Sequence, residues 1–195
     1  MVRPRKLPKV LTNDEQKALL KQCNKRYKSP LRNLCMLRLM LEAGLRAGEV
    51  VALKPDHLNM TTCKLMVWEG KGAKDRTLWI NDDLRDLIGA WLEIRFATKE
   101  DWLFPTRTGG QLFTSYLREM VKRYAKQAGI PEWEKVSPHT LRHSFGTDLY
   151  QETKNIRLVQ KALGHTDLST TMIYTHIHDE ELEEAMRGRG TGRET

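Results

Sequence analysis

The chain has 195 residues, 39% apolar and 30% charged, enough apolar material for one packed domain and too much for a disordered polymer. No apolar run approaches the roughly 20 residues of a membrane helix, and Met1–Lys6 has no apolar stretch behind it, so neither a membrane span nor a secretory leader is expected and the protein reads as cytoplasmic. Lys and Arg number 33 against 25 Asp and Glu, and the excess lies in the first half: 20 basic and 12 acidic residues up to position 100, then 13 of each.

Residues 1–11 are basic, contain Pro4 and Pro8, and read as a flexible arm. Thr12-Asn13-Asp14-Glu15 has the form of a capping box and predicts a helix to about Arg26. Ser29-Pro30 marks a second start, with proline at the first helical position. Leu34, Leu37, Met40 and Leu41 then give Leu31–Ala43 one apolar face, ended by Gly44. A short helix over Gly48–Leu53 stops before Pro55. The period changes next: Lys64–Trp68 and Arg76–Ile80 read as two strands joined by the glycine- and lysine-rich turn Glu69–Asp75. Asp82 caps a helix to about Phe96, and after the loop Pro105–Gly110 another helix covers about Thr114–Ala128. Gly129-Ile130-Pro131 breaks it. Ser137-Pro138 opens a helix over His139–Gln151, and Asn155 caps one ending at Leu163-Gly164. Ser169-Thr170-Thr171 begins a short helix, Asp179 caps an acidic one through Met186, and Gly188–Thr195 is a Gly/Arg-rich tail expected to be disordered. The fold class is α+β, mainly α-helical with one small antiparallel β-sheet.

Cys23, Cys35 and Cys63 are odd in number and lack a Cys-x-x-Cys spacing, which argues against a disulfide framework or zinc ribbon and for buried free thiols. Residues 1–38 hold 11 basic and 2 acidic residues, a field that suits a polyanion, nucleic acid before an anionic membrane surface.

Several polar residues lie in apolar company. Arg46 sits within Ala43-Gly44-Leu45-Arg46-Ala47-Gly48-Glu49, His139, Arg142 and His143 share one helix, His165 follows a helix end, and Tyr174 comes nine residues later. Singly, each has an ordinary structural reading: an ion pair between Arg46 and Glu49, a cap, a core tyrosine. Jointly, with a lysine on the hairpin, they have one use. Arginines clamp the non-bridging oxygens of a phosphodiester, a tyrosine attacks phosphorus, a lysine protonates the leaving oxygen and a histidine moves the nucleophile's proton.

The motifs Ala43–Val50, Gly70-Lys71-Gly72-Ala73-Lys74-Asp75-Arg76, Pro138-His139-Thr140-Leu141-Arg142-His143-Ser144-Phe145, and Leu163-Gly164-His165 continuing to Tyr174-Thr175-His176 stand in a distinctive order and spacing. In these the chain resembles the catalytic domain of the tyrosine recombinase (phage integrase) family, over roughly residues 12–187. The resemblance implies that Tyr174 is the nucleophile of a 3′-phosphotyrosyl link, and that Arg46 and Arg142 bind the scissile phosphate. It implies that Lys71 protonates the 5′-oxygen, that His139 is the base for Tyr174, and that His165 donates a hydrogen bond to the phosphate. Glu49 would orient Arg46 or a histidine. His143, one position past Arg142, reads as packing or a supporting hydrogen bond, and His176 and His178 are unassigned. Lys74 and Arg76 are expected as DNA phosphate contacts. Double-stranded DNA and self-association into a synaptic tetramer are the implied partners, with no metal, ATP or other cofactor. Family members carry an N-terminal core-binding domain, and only eleven residues precede the first helix here, so that domain is expected to be absent. Gly48 stands where the family often has serine.

Three rivals compete. His139 and His143, four apart on a helix, with His165 would be a metal set, but the helix lacks the glutamate of a metalloprotease and Arg142 would repel a cation. A DNA-binding module without turnover is the second rival. A type IB topoisomerase shares the chemistry and differs in outcome.

Overall fold

The first helix forms where its local signals predict. Thr12 Oγ1 accepts from the Glu15 amide at 3.2 Å and the Glu15 carboxylate accepts from the Thr12 amide at 2.9 Å, closing the capping box of α1 (Asn13–Lys21). The computed structural model describes residues 8–68, 75–98 and 100–165. The helices expected after Ser169 and at Asp179, and the terminal tail, lie outside the described residues. Helix α1 ends five residues before the expected Arg26, because Asn24 Oδ1 accepts from the Arg26 amide at 3.0 Å and draws the chain into a turn. Helix α2 (Lys28–Glu42) begins two residues ahead of Pro30, which sits within the first turn where no amide is needed.

Helix α2 is the axis of the core. Leu34, Cys35, Met36, Leu37, Leu39 and Met40 are all buried, and the helix packs against α4 (Asp82–Ile94) and α6 (Pro138–Thr153). With apolar partners on several sides, one apolar stripe is not enough, and even Arg32 and Asn33 are inside. Arg32 donates to the Pro105 carbonyl at 2.6 Å and to the Tyr116 hydroxyl at 2.8 Å, and Asn33 donates to the Tyr124 hydroxyl at 3.1 Å. Arg38 is ion-paired with Glu42. Part of the basic excess before residue 38 is therefore internal bracing rather than outward field.

Between α3 (Ala47–Ala52) and α4 lies a three-stranded antiparallel sheet of β1 (Leu58–Asn59), β2 (Lys64–Val67) and β3 (Arg76–Trp79). The register pairs Leu65 with Leu78 and Val67 with Arg76, so Leu65, Val67 and Leu78 face the core while Lys64, Met66 and Trp79 face out. Strand β1 escapes the sequence pattern, since two residues cannot show alternation. Asn81, not Asp82, caps α4 through its contact with the Leu84 amide at 2.8 Å. Helix α5 (Thr114–Gln127) and α7 (Ile156–Leu163, capped by Asn155) follow expectation, whereas α6 takes Pro138 as its first residue and runs on to Thr153. The described residues thus hold seven α-helices and one small sheet, as the α+β reading expects.

Cys23 and Cys35 are buried free thiols, pushed up to about 11 and about 12 respectively by that burial. Cys63 is only half-buried, because it occupies a left-handed turn (φ 55°) between β1 and β2.

Candidate functional site

Arg46 is placed by the end of α2 and the start of α3. Gly44 adopts φ +64°, a conformation that glycine reaches without strain, and an added Cβ there would lie 2.3 Å from Phe145 Cδ1. The chain then turns so that Arg46 becomes the N-cap residue of α3. Glu49, three positions on, accepts the Arg46 amide on Oε2 at 2.7 Å and the Arg46 Nη1 on Oε1 at 2.8 Å. Gly48 serves no comparable need, since nothing lies within 4 Å of a Cβ built there.

The Glu49 carboxylate is the meeting point of the site. Its side chain is 8% exposed and receives Arg76 Nη1 on Oε1 at 2.8 Å and Arg76 Nη2 on Oε2 at 2.9 Å. Arg142 Nη1, arriving from α6, lies 3.9 Å from Oε2. Burial alone would push this carboxyl up, but the Arg76 hydrogen bonds and charge, the Arg46 amide and the Arg142 charge outweigh it and bring it down to about 2. Arg142 is itself held by backbone: Nη1 donates to the Gly44 carbonyl and Nη2 to that of Leu163, the last residue of α7. A cation on the C-terminal carbonyls of a helix is favourably placed against the helix dipole.

His165 follows the α7 cap, Gly164 at φ +64°, with its amide on the Gln160 carbonyl at 3.1 Å. Burial, then the charges of Arg142 and Arg46, push its imidazole down to about 4. His143 is pushed down to about 4 by burial, then by His139 and Arg142. Both rings are neutral at physiological pH, so they offer N–H donors rather than charge. His139, in the first turn of α6, lines an open cleft of about 640 Å³ together with Arg46, Trp68, Thr114 and Arg118.

The structure therefore brings Arg46, Glu49, Arg76, Arg142 and His165 together, sets His139 on the cleft beside Arg46, and turns His143 toward a second hollow beside Lys9, Glu132 and Lys135. Lys71, Lys74 and Tyr174 lie outside the described residues. Arg76 differs from expectation. Its side chain is 7% exposed and turned inward, with both Nη atoms on the Glu49 carboxylate, rather than outward from the strand. Two further residues line the cleft: Trp68, 54% exposed just after β2, and Arg118 on α5. A tryptophan beside a lysine-rich turn is the sequence signal for the first. The side chains that converge here, Arg46, Arg76 and Arg142, are cations that suit an anion; among the described residues, no three His, Cys, Asp or Glu side chains group as a metal site.

Residues 9–181 match the phage integrase family. Over 184 residues the chain is 41% identical to the tyrosine recombinase XerA of Thermococcus kodakarensis, covering 93% of this chain and 63% of that protein. The crystal structure of a XerA recombinase superposes with a TM-score of 0.82 at 31% identity, covering 97% of this chain and 68% of the other. A XerH site-specific recombinase bound to its difH substrate superposes with a TM-score of 0.80 at 35% identity, over 93% of this chain and 53% of the other. The chain spans roughly 60% of the length of the curated relatives it matches.

Proposed function

The chain belongs to the phage integrase family, and from that premise we propose that residues 12–187 form a catalytic domain that breaks and rejoins double-stranded DNA at specific sites through a 3′-phosphotyrosyl intermediate. One observation carries the reading: Arg46 and Arg142, 96 positions apart in the chain, converge on one buried carboxylate beside an open cleft. Two guanidiniums so held suit a phosphodiester, whose non-bridging oxygens accept bidentate, charge-assisted bonds.

In this reading Tyr174 Oη attacks the phosphorus and the P–O5′ bond breaks. The phenolic proton passes to His139, and Lys71 gives a proton to the departing 5′-oxygen. Arg46, Arg142 and the neutral His165 ring donate to the charge that grows on the non-bridging oxygens, donors held in place before the reaction begins. The reverse attack by a 5′-hydroxyl of another strand releases Tyr174 and restores the phosphodiester. One phosphate ester bond is exchanged for another at each step, so the reaction draws on no ATP, and the arginines supply the positive charge otherwise taken from a metal ion. Duplex DNA is the partner, exchange between two duplexes calls for self-association into a synaptic tetramer, and the place of action is the cytoplasm, at the nucleoid. Among the described residues, no helix is long and apolar enough to cross a membrane.

The test is a nicked duplex whose short cleaved fragment diffuses away and traps the intermediate. A gel-stable protein–DNA adduct that Tyr174→Phe abolishes, without loss of duplex binding, is the expected result. An adduct surviving that substitution, or attached through Tyr116 or Tyr150, overturns the assignment. Binding with no adduct on any duplex leaves a DNA-binding module, and relaxation of supercoils without exchange makes the protein topoisomerase-like.

A further inference from the structure

Three guanidiniums converge on Glu49, and they are not equivalent. Arg46 is 37% exposed and borders the cleft, whereas the side chains of Arg142 and Arg76 are 6% and 7% exposed. The four hydrogen bonds that Glu49 accepts, two from Arg46 and two from Arg76, match the roughly four lone-pair sites of a carboxylate. Arg142, at 3.9 Å from Oε2, is left outside hydrogen-bonding range and turns to the Gly44 and Leu163 carbonyls. Arg76 also reaches α7, donating its Nε to the Ala162 carbonyl at 3.1 Å, one residue before the carbonyl that Arg142 holds. β3, α3 and the last turn of α7 are thereby joined through one planar group.

We propose, resting on the strand-transfer reading, that Arg76 is a positioning residue: by occupying both oxygens of Glu49 and the end of α7, it keeps Arg46 and Arg142 turned toward the scissile phosphate and holds His165 beside them. Without Arg76 the carboxylate loses two of its four hydrogen bonds; it then holds Arg46 more closely and draws Arg142, 3.9 Å away, off the Gly44 and Leu163 carbonyls, both away from an anion in the cleft. Planarity matters here, because a guanidinium meets both carboxylate oxygens with parallel donors and a third acceptor with its Nε–H, whereas the three donors of an ammonium diverge from one nitrogen.

Arg76→Met, which keeps length but removes charge and donors, tests this beside Arg76→Lys. Three measurements are made: adduct formation on the trapping duplex as a function of pH, duplex affinity as a function of salt, and the titration of the Glu49 carboxyl by carbon NMR. Arg76→Met is expected to slow adduct formation about 100-fold, the scale of an ångström-sized misplacement. Among the described residues, the charged groups facing Glu49 are Arg46 from the start of α3, Arg76 from β3 and Arg142 from α6. Losing one of these cations raises the Glu49 titration and moves the acid limb of the pH–rate profile upward. The log–log salt slope of binding stays unchanged, whereas loss of a phosphate contact lowers it by about 0.9. Arg76→Lys restores the pH profile but only part of the rate.

A wild-type rate in Arg76→Met overturns the inference, as does a salt slope reduced by one contact. A slower rate with an unmoved pH profile and unmoved Glu49 titration also overturns it, since that is general loosening. If Arg76→Met does not fold, Arg76→Lys carries the comparison, and full activity there refutes the planar requirement. A wild-type protein that forms no adduct overturns the strand-transfer reading instead. In that case the salt slope and the Glu49 titration, which need no turnover, still decide what Arg76 does.

Discussion

Replacing Glu49 by glutamine removes one negative charge from the centre of the site and leaves its shape. The side chain is 8% exposed, with Arg46 Nη1 and Arg76 Nη1 both at 2.8 Å and Arg142 Nη1 at 3.9 Å. At an effective dielectric constant near 20, a unit pair about 4 Å apart attracts by about 4 kcal/mol, and the desolvation of buried ions offsets much of that. Breaking such a buried pair leaves cations uncompensated and costs about 3–5 kcal/mol. In a chain of this size each kcal/mol is worth about 2–4 °C, so Glu49→Gln should melt about 6–20 °C below wild type at neutral pH. The sign of the pH dependence follows from the carboxyl being held at about 2 against an ordinary 4.5. Stability from a depressed carboxyl is present above its unfolded value and is lost as pH falls through its folded one. The two proteins should therefore converge as pH drops from 4.5 toward 2. Scanning calorimetry across that range measures both quantities. A loss under about 3 °C at neutral pH, or a gap that stays constant into acid, would refute the idea that charge compensation holds this site together.

Gly44→Ala should destabilise the fold by about 2–4 kcal/mol in urea titrations, because the left-handed backbone and the Phe145 ring 2.3 Å from the new Cβ both oppose it; a neutral effect would show that α6 yields freely. His165, held down to about 4 against an ordinary 6.5, makes the fold lose stability as pH falls through that window, and His165→Asn should flatten that loss in acid melting curves. On the proposal that Arg46 and Arg142 neutralise the phosphate, cleavage should persist in excess chelator; activity lost to chelation and restored by zinc would point back to the histidines. Lys71→Ala should slow cleavage of ordinary DNA far more than cleavage of DNA with sulfur at the bridging 5′ position, because a thiolate leaves without a proton; equal losses would remove Lys71 from the acid's role.

Much of the secondary structure could be read directly from sequence because its causes are short-range. Thr12 and Glu15 cap each other three residues apart, Asn155 caps α7 through the amides of Arg157 and Leu158, and Gly164 ends it in a left-handed turn. The same locality explains the misses: the Asn24 turn competed with a helix signal at one step's remove, and β1 is too short to carry a period. The order of Arg46, Lys71, His139, Arg142, His165 and Tyr174 along the chain carries the family resemblance, since residue type and spacing are properties of sequence. What the sequence did not contain is which charge meets which. Arg76 read as outward because it sits on a strand among lysines, yet its partners are Glu49, 27 positions away, and Ala162, 86 away. Arg142 finds its carbonyls at 98 and 21 residues' distance, and Arg32 finds Pro105 at 73. A guanidinium faces solvent or carboxylate according to what packs beside it, and only the tertiary structure sets that. Local rules made the helices; long-range packing decided that one buried carboxylate organises three arginines.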